Sequence, residues 1–350
     1  MKRAPKAGLG GRGSSRNPRN RFEPLAFVPD GAQEGRATRF LKDASRSIIA
    51  YNDSPDVGFE ASVNPYRGCE HGCIYCYARP THEYLGFSAG LDFESRILVK
   101  ERAPELLRKE LASPRWKPQV IALCGVTDPY QPVERRLELT RGCLEVLAAF
   151  RNPVAIVTKN HLVTRDVDIL KELADRDAAV VFISVTTLDS DLCSRMEPRT
   201  SQPHLRLGAI RALREAGIPV GVLVAPVIPA LTDHEMPAIL AAAAEAGAGC
   251  AGYSLMRLPF AVKELFEAWL EENFPDRKEK VLNRIREIRG GKLNDSGFNT
   301  RMKGQGIFAE QVEAMFHATC RKLGLTRRSW SLSTASFRAE TDQLALFGDG

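Results

Sequence analysis

Cys69, Cys73 and Cys76 fall within the stretch RGCEHGCIYCYARP, residues 67–80, in a C-x3-C-x2-C spacing with no fourth cysteine close by. Thiols gathered this tightly in a chain with only 8 cysteines point to metal binding or chemistry rather than to a disulfide scaffold. Structural zinc asks for four ligands in a closed tetrahedron. A fourth is hard to find: His71 sits inside the loop, where ring closure is tight, and Cys124, Cys143, Cys193, Cys250 and Cys320 are isolated. Iron–sulfur clusters also commonly take four thiolates. Three thiolates on a four-iron cluster leave one iron open, and an open iron binds substrate or cofactor. Zinc completed from elsewhere in the chain remains the competing reading.

The residues around the cysteines predict what positions them. Apolar, β-branched runs at 120–126, 154–159, 179–185, 219–227 and 250–256 read as buried parallel strands, and a shorter run at 60–66 precedes the cysteines. Between them lie stretches with apolar residues at i, i+3, i+4 and i+7, such as ELTRGCLEVLAAF and PHLRLGAIRALREAG. Six strands alternating with helices predict an α/β fold, a partial (β/α)6 TIM-type barrel; a doubly wound open sheet is the alternative. In either, chemistry gathers at the C-terminal ends of the strands, and the cysteine loop follows the first strand directly.

Composition divides the chain further. Residues 1–46 hold 11 Lys/Arg against 4 Asp/Glu, a net +7, while the whole chain carries +6. Rich also in Gly, Pro, Ser and Asn, this segment reads as a flexible basic arm of the kind that touches nucleic acid, or as a solubilising tail. Residues 47–258 are the expected barrel. Residues 259–328 are helical and partly basic, a C-terminal cap, and 329–350 form a polar tail. No apolar run approaches a membrane span, and the basic N-terminus lacks the apolar core of a secretory signal, so a cytoplasmic location without membrane contact is expected.

C-x3-C-x-aromatic-C, with Tyr75 as the aromatic, resembles the cluster motif of the radical SAM (S-adenosylmethionine) superfamily. The resemblance implies a 4Fe-4S cluster on Cys69, Cys73 and Cys76 whose open iron chelates S-adenosylmethionine. It implies one-electron cleavage of the sulfonium to a 5′-deoxyadenosyl radical, fed by a reductant such as flavodoxin or ferredoxin. Between about residues 62 and 227 the chain resembles the branch containing the spore photoproduct lyases and DNA repair photolyase-like proteins. That resemblance puts Thr127 and Asp128 of VTDPYQP, Lys159 of IVTKNHLV, Ser184 of FISVTT and Ala225 of LVAPVIP around S-adenosylmethionine, with Lys159 facing its carboxylate. MEPRTS, with Glu197 and Arg199, is also similar. Tyr75 is implied against the adenine, and Tyr77 falls where the lyase keeps a hydrogen-relay tyrosine.

One position departs. The lyase's hydrogen-donating cysteine, aligned on Thr127, falls at Gly125, and Cys124 stands one residue early. Strand alternation would turn its thiol to the other face unless a bulge at Gly125 restored it. The expected function is therefore a radical SAM enzyme acting on DNA or RNA, in lyase-like repair or modification. A radical SAM enzyme for a peptide or metabolite, and a metal protein that binds a partner without turnover, are the rivals. Near the end, Gln343-Leu344-Ala345-Leu346-Phe347 is similar to the peptide by which bacterial replication and repair proteins bind the sliding clamp; alternatively it folds back on the C-terminal helices.

Overall fold

Each of the six expected runs carries a strand of the sheet in the computed structural model, which describes residues 11–23, 37–326 and 331–338. In chain order the described strands are β1 (Arg39–Lys42), β2 (Ile49–Tyr51), β3 (Ala61–Val63), β4 (Tyr66–Arg67), β5 (Arg96–Val99), β6 (Ile121–Leu123), β7 (Val154–Thr158), β8 (Ala179–Ser184), β9 (Val220–Val227) and β10 (Cys250–Leu255). β3, β6, β7, β8, β9 and β10 lie side by side in that order, each pair parallel, with β2 antiparallel outside β3. Among the described residues β10 does not pair back to β3, so the barrel is partial.

The helices Leu139–Phe150, Val167–Ala174, Pro203–Glu215 and Met236–Glu245 connect successive strands. Their apolar stripes, including Leu144, Leu147, Leu170, Leu213 and Ile239, are buried against Ile121, Ile156, Val181 and Val222 of the sheet. Each such side chain contributes roughly 1.5–3 kcal/mol by leaving water.

The run at 60–66 proves to be two strands. Pro65 has no N–H for a ladder, and the chain turns there. β4 leaves the barrel and joins β5 and β1 in a second sheet ordered β1-β5-β4. This small sheet lies on either side of the cysteine loop in sequence, and the amide of Cys69 donates to the Phe93 carbonyl at 2.9 Å.

A flexible arm does not describe residues 11–23, which lie along the body. Arg12 is buried and donates to the Glu94 carbonyl at 2.6 Å. The amides of Gly13 and Ser14 donate to the Glu94 carboxylate at 2.9 and 2.8 Å. Asn20 donates to the carbonyls of Glu83 and Phe87 at 2.9 and 2.8 Å. The segment is polar, as read, but its polar groups have partners far along the chain. Gly13 is required there: a Cβ would stand 1.7 Å from the Gly72 carbonyl oxygen of the cysteine loop.

The C-terminal helices part company. Val262–Asn273 and Lys278–Glu287 pack Phe266, Trp269, Leu282 and Ile285 behind the cysteine loop, in one cluster with Ile74, Tyr75 and Met196. Ile307–Leu323 instead lays Val312 and Phe316 against Met236–Glu245 and β10, as a further outer helix rather than part of a cap. Residues 331–338 continue along the body, where the Arg338 amide donates to the Phe150 carbonyl at 3.0 Å and the Phe337 ring lies 6.2 Å from that of Phe150. Gln343–Phe347 lies outside the described residues. No helix among the described residues is long and apolar enough to cross a membrane.

Beneath the cysteine loop, Arg79 and Glu94 form an ion pair with both side chains wholly buried. Arg79 also donates to the carbonyls of Cys73, Gly72 and Gly90, each at 2.9 Å. Removing one partner of a buried pair leaves the other charge uncompensated. Arg79→Ala is therefore expected to lower unfolding free energy by about 3–5 kcal/mol, measured by denaturant unfolding; a shift below about 1 kcal/mol would remove Arg79 as the frame of the loop.

Candidate active site

The cysteine loop runs in tight turns. Gly72 donates to the Cys69 carbonyl at 3.3 Å, Cys76 to that of Cys73 at 3.2 Å and Arg79 to that of Cys76 at 3.3 Å. Gly72 has φ +66°, and a Cβ there would stand 2.6 Å from Glu94, so glycine alone suits this bend. Cys69 and Cys73 are buried and Cys76 half-buried, and all three are free thiols. Burial, then Glu197, pushes the Cys73 thiol far up; burial pushes Cys76 up while Arg79 opposes it. Cys76 and Cys69 each add to the shift at Cys73, so the three sulfurs lie within electrostatic reach of one another.

These residues fit a cluster. Desolvated thiols held together favour a cationic centre that can take them as thiolates. Among the described residues, no three His, Cys, Asp or Glu side chains are grouped to hold a single metal ion. A four-iron cluster makes a different demand, one thiolate at each of several irons. His71 is not spare for zinc. Its Nδ1 lies 3.3 Å from Asp128, its Nε2 lies 3.2 Å from the Asn160 amide, and the ring is buried. Burial works against its charge, but Asp128 and Cys69 outweigh this and lift it to about 10.

Opposite the loop, the ends of β7, β8 and β9 converge on the Lys159 ammonium. It donates to Thr186 Oγ1 at 3.1 Å and to the Ala225 carbonyl at 3.0 Å, and pairs with Glu197 at 3.3 Å. Burial, then Arg206, lowers it to about 8. Glu197 is wholly buried, gripped also by Arg206 and by Thr186 Oγ1 at 2.8 Å. Tyr75 is buried with its hydroxyl 3.3 Å from Thr186 Oγ1 and its ring 5.8 Å from the Lys159 ammonium.

Asp128 is held by protein groups on every side. Its carboxylate accepts from Thr158 at 2.7 Å, from the Lys159 amide at 2.8 Å and from the Tyr130 amide at 2.9 Å, besides facing His71. Both oxygens are taken by protein, so it ties β7 to the cysteine loop. Thr127 is buried, with its hydroxyl 3.3 Å from the Tyr66 carbonyl. Ser184 is buried at the end of β8, and its carbonyl accepts from Arg206 at 3.0 Å.

Tyr77 stands at the mouth, 48% exposed, with its hydroxyl donating to the Gly125 carbonyl at 2.7 Å. Desolvation of the hydroxyl, then the nearness of Cys76 and Cys124, holds the phenol above its ordinary range. β6 ends at Leu123 and Gly125 has φ +110°, so strict alternation no longer governs Cys124. The pairing of β6 ends at Leu123 with no register shift, so Gly125 belongs to a turn after the strand and not to a β-bulge within it. Cys124 is buried, within electrostatic reach of Tyr77, and burial, then Asp128, pushes its thiol up to about 12.

The profile of the radical SAM superfamily matches residues 63–243, which span the cysteine loop and the strand ends just described. The chain belongs to the radical SAM superfamily. As a radical SAM enzyme it uses a 4Fe-4S cluster and S-adenosylmethionine. An uncharacterized protein of Mycobacterium tuberculosis (strain ATCC 25618 / H37Rv) is 39% identical over 232 residues, covering 66% of this chain and 67% of that protein. An uncharacterized protein of Methanocaldococcus jannaschii is 28% identical over 227 residues, covering 65% and 81%. Among solved structures, a mutant of spore photoproduct lyase aligns over 88% of both chains with TM-score 0.60 and 17% identity. Spore photoproduct lyase complexed with dinucleoside spore photoproduct aligns over the same shares with TM-score 0.59 and 17% identity. At that identity the likeness is one of fold.

Thr186, Arg206 and the His71–Asp128 pair were missed by reading the sequence. Thr186 had little signal, since it lies two residues past the end of β8, where strand alternation no longer says which way a side chain points. Arg206 had none, because it reaches Glu197 only through the turn into the helix Pro203–Glu215. Thr186 joins Tyr75, Lys159 and Glu197 through one hydroxyl. Thr186→Val keeps the shape and removes that hydroxyl, so a loss of about 1–3 kcal/mol is expected in denaturant unfolding; an unchanged midpoint would show that the hydroxyl is not shared.

Proposed function

We propose that this radical SAM enzyme acts on nucleic acid in the cytoplasm, as a lyase in repair or as a modifying enzyme. The observation that carries the reading is the mouth. A phenol on an exposed residue, Tyr77, bonds the Gly125 carbonyl next to the buried Cys124, whose thiol is within electrostatic reach, and lies under the guanidinium of Arg257 at 4.6 Å from the tyrosine ring. A cationic rim suits a phosphate-bearing substrate, and a phenol and thiol together suit hydrogen-atom transfer. The lyase of the same fold holds a dinucleoside spore photoproduct, and related chemistry is proposed here. Chemistry on a peptide or small metabolite is the second reading; it predicts no nucleic-acid affinity at physiological salt.

In this proposal Cys69, Cys73 and Cys76 hold the cluster, and flavodoxin or ferredoxin supplies the electron. When bound, the cluster and S-adenosylmethionine supply one-electron reduction and a 5′-deoxyadenosyl radical. Tyr75 takes the adenine. Thr127, Ser184 and the Ala225 backbone line the cofactor, with Asp128 behind them. Lys159 turns from Glu197 toward the methionine carboxylate, and Glu197 and Arg206 keep it placed. The Cys124 S–H gives its hydrogen atom to a substrate carbon radical, and the Tyr77 O–H restores the thiol, leaving the unpaired electron on the phenol oxygen.

Anaerobic reduction of the reconstituted protein with candidate polymers is the direct test. DNA or RNA is expected to raise 5′-deoxyadenosine release; stimulation only by peptides or metabolites would reject the substrate. Lys159→Ala is expected to leave the cluster's absorbance intact and to weaken S-adenosylmethionine binding by about ten- to a hundredfold, the loss of one charged hydrogen-bond partner. An unchanged dissociation constant would remove Lys159 from the cofactor.

A further inference from the structure

Five exposed aromatic rings each meet a guanidinium or another ring. Tyr77 is 48% exposed beneath Arg257. Three residues on from that arginine, Phe260 is 56% exposed and carries the Arg21 guanidinium 3.6 Å from its centroid. Arg21 also lies 5.0 Å from the ring of Phe22, and Phe22 stacks on Tyr84 with centroids 4.8 Å apart and planes at 26°. Tyr84 is 73% exposed. On the other side Phe298 carries Arg301 at 4.6 Å, and Arg301 lies close enough to lower the phenol of Tyr77 electrostatically. An open notch of about 400 Å³ is lined by Arg19, Asn20, Arg21, Phe22 and Glu23.

Rings left in water so close together mark a contact surface. The planes of the Phe22–Tyr84 stack and of Arg21 are already set: Arg21 is held by Glu83 at 2.6 Å, and Asn20 is buried. Arg16 and Arg19 are exposed and make no ion pair among the described residues. Flat faces interleaved with guanidinium groups are what unpaired bases and their phosphates recognise. A duplex hides its base faces in its own stack, so phosphate contact alone would leave the rings without a use.

We propose that this run of rings, from Tyr84 and Phe22 past Phe260 to Tyr77, is a docking track for an unpaired stretch of nucleic acid. Bases stack on Phe22 and Tyr84, phosphates meet Arg16 and Arg19, and the strand is led to the mouth at Tyr77. This rests on the nucleic-acid reading of the site and adds that the strand is presented unpaired.

The test uses the full-length, cluster-loaded protein and the fluorescence anisotropy of short labelled oligothymidylate, oligouridylate and a blunt DNA duplex, with polyglutamate as competitor. The wild type is expected to bind a single strand more tightly than duplex at physiological salt, and the two single strands decide between DNA and RNA. Tyr84→Ala and Phe22→Ala should each weaken single-strand binding roughly tenfold, within the range for losing one stacked base, without changing its salt slope. Tyr51→Ala, which removes a similarly exposed ring on β2, should change nothing. Cluster absorbance and the unfolding midpoint report that each variant is folded. Preference for duplex, full competition by polyglutamate, or undiminished binding in both ring variants overturns the track while leaving the nucleic-acid substrate in place. No binding of any nucleic acid by the wild type overturns the substrate reading as well.

Discussion

The cysteine loop depends on one buried ion pair. Arg79 and Glu94 are both withdrawn from water, and each is costly to bury alone. Together they are fully employed. The guanidinium takes the Gly72 carbonyl and shares that of Cys73 with the Cys76 amide, and the carboxylate takes the Gly13 and Ser14 amides. The pair therefore fixes the loop that carries the thiols and clamps the N-terminal segment over it. A loop of this length has too few apolar residues to hold its own shape, so its order is borrowed from the charges beneath it.

A second buried network does the same for the strand ends. Glu197 stands between Arg206 and Lys159, with Thr186 bridging to Tyr75. Two cations around one carboxylate leave the group with surplus positive charge, and burial already presses Lys159 toward neutrality. A carboxylate brought beside Lys159 would relieve that strain, which gives the proposed cofactor contact a physical reason. Asp128 joins the halves, since it holds His71 of the cysteine loop and, at the end of β7, Thr158 and the following Lys159 at once. The thiols and the ammonium are thus parts of one rigid polar frame.

The basic N-terminal segment has two uses in this arrangement. Arg12 works inward on Glu94, whereas Arg16, Arg19 and Arg21 remain on the surface. Composition alone cannot separate these roles, because a buried and an exposed arginine look alike in sequence. Docking sets Phe22 on Tyr84 and Arg21 on Phe260, so a segment read as loose charge becomes part of an exposed aromatic surface.

The strand runs, the helices between them and the cysteine spacing were legible because each is a local pattern. A strand buried on both sides must be continuously apolar, and the three thiols lie within a few residues of each other. Lys159, Ser184 and Ala225 came instead from the resemblance to the radical SAM lyases, which implied cofactor contacts on successive strands. What tertiary structure alone decided were the long-range polar partners: Arg79 with Glu94, Glu197 with Arg206, His71 with Asp128. It also decided the break at Pro65, the docking of residues 11–23 and the place of the helix Ile307–Leu323 outside the barrel. Hydrophobic periodicity reports which side of an element is buried, but a polar group's partner depends on which elements become neighbours, and only the folded chain determines that.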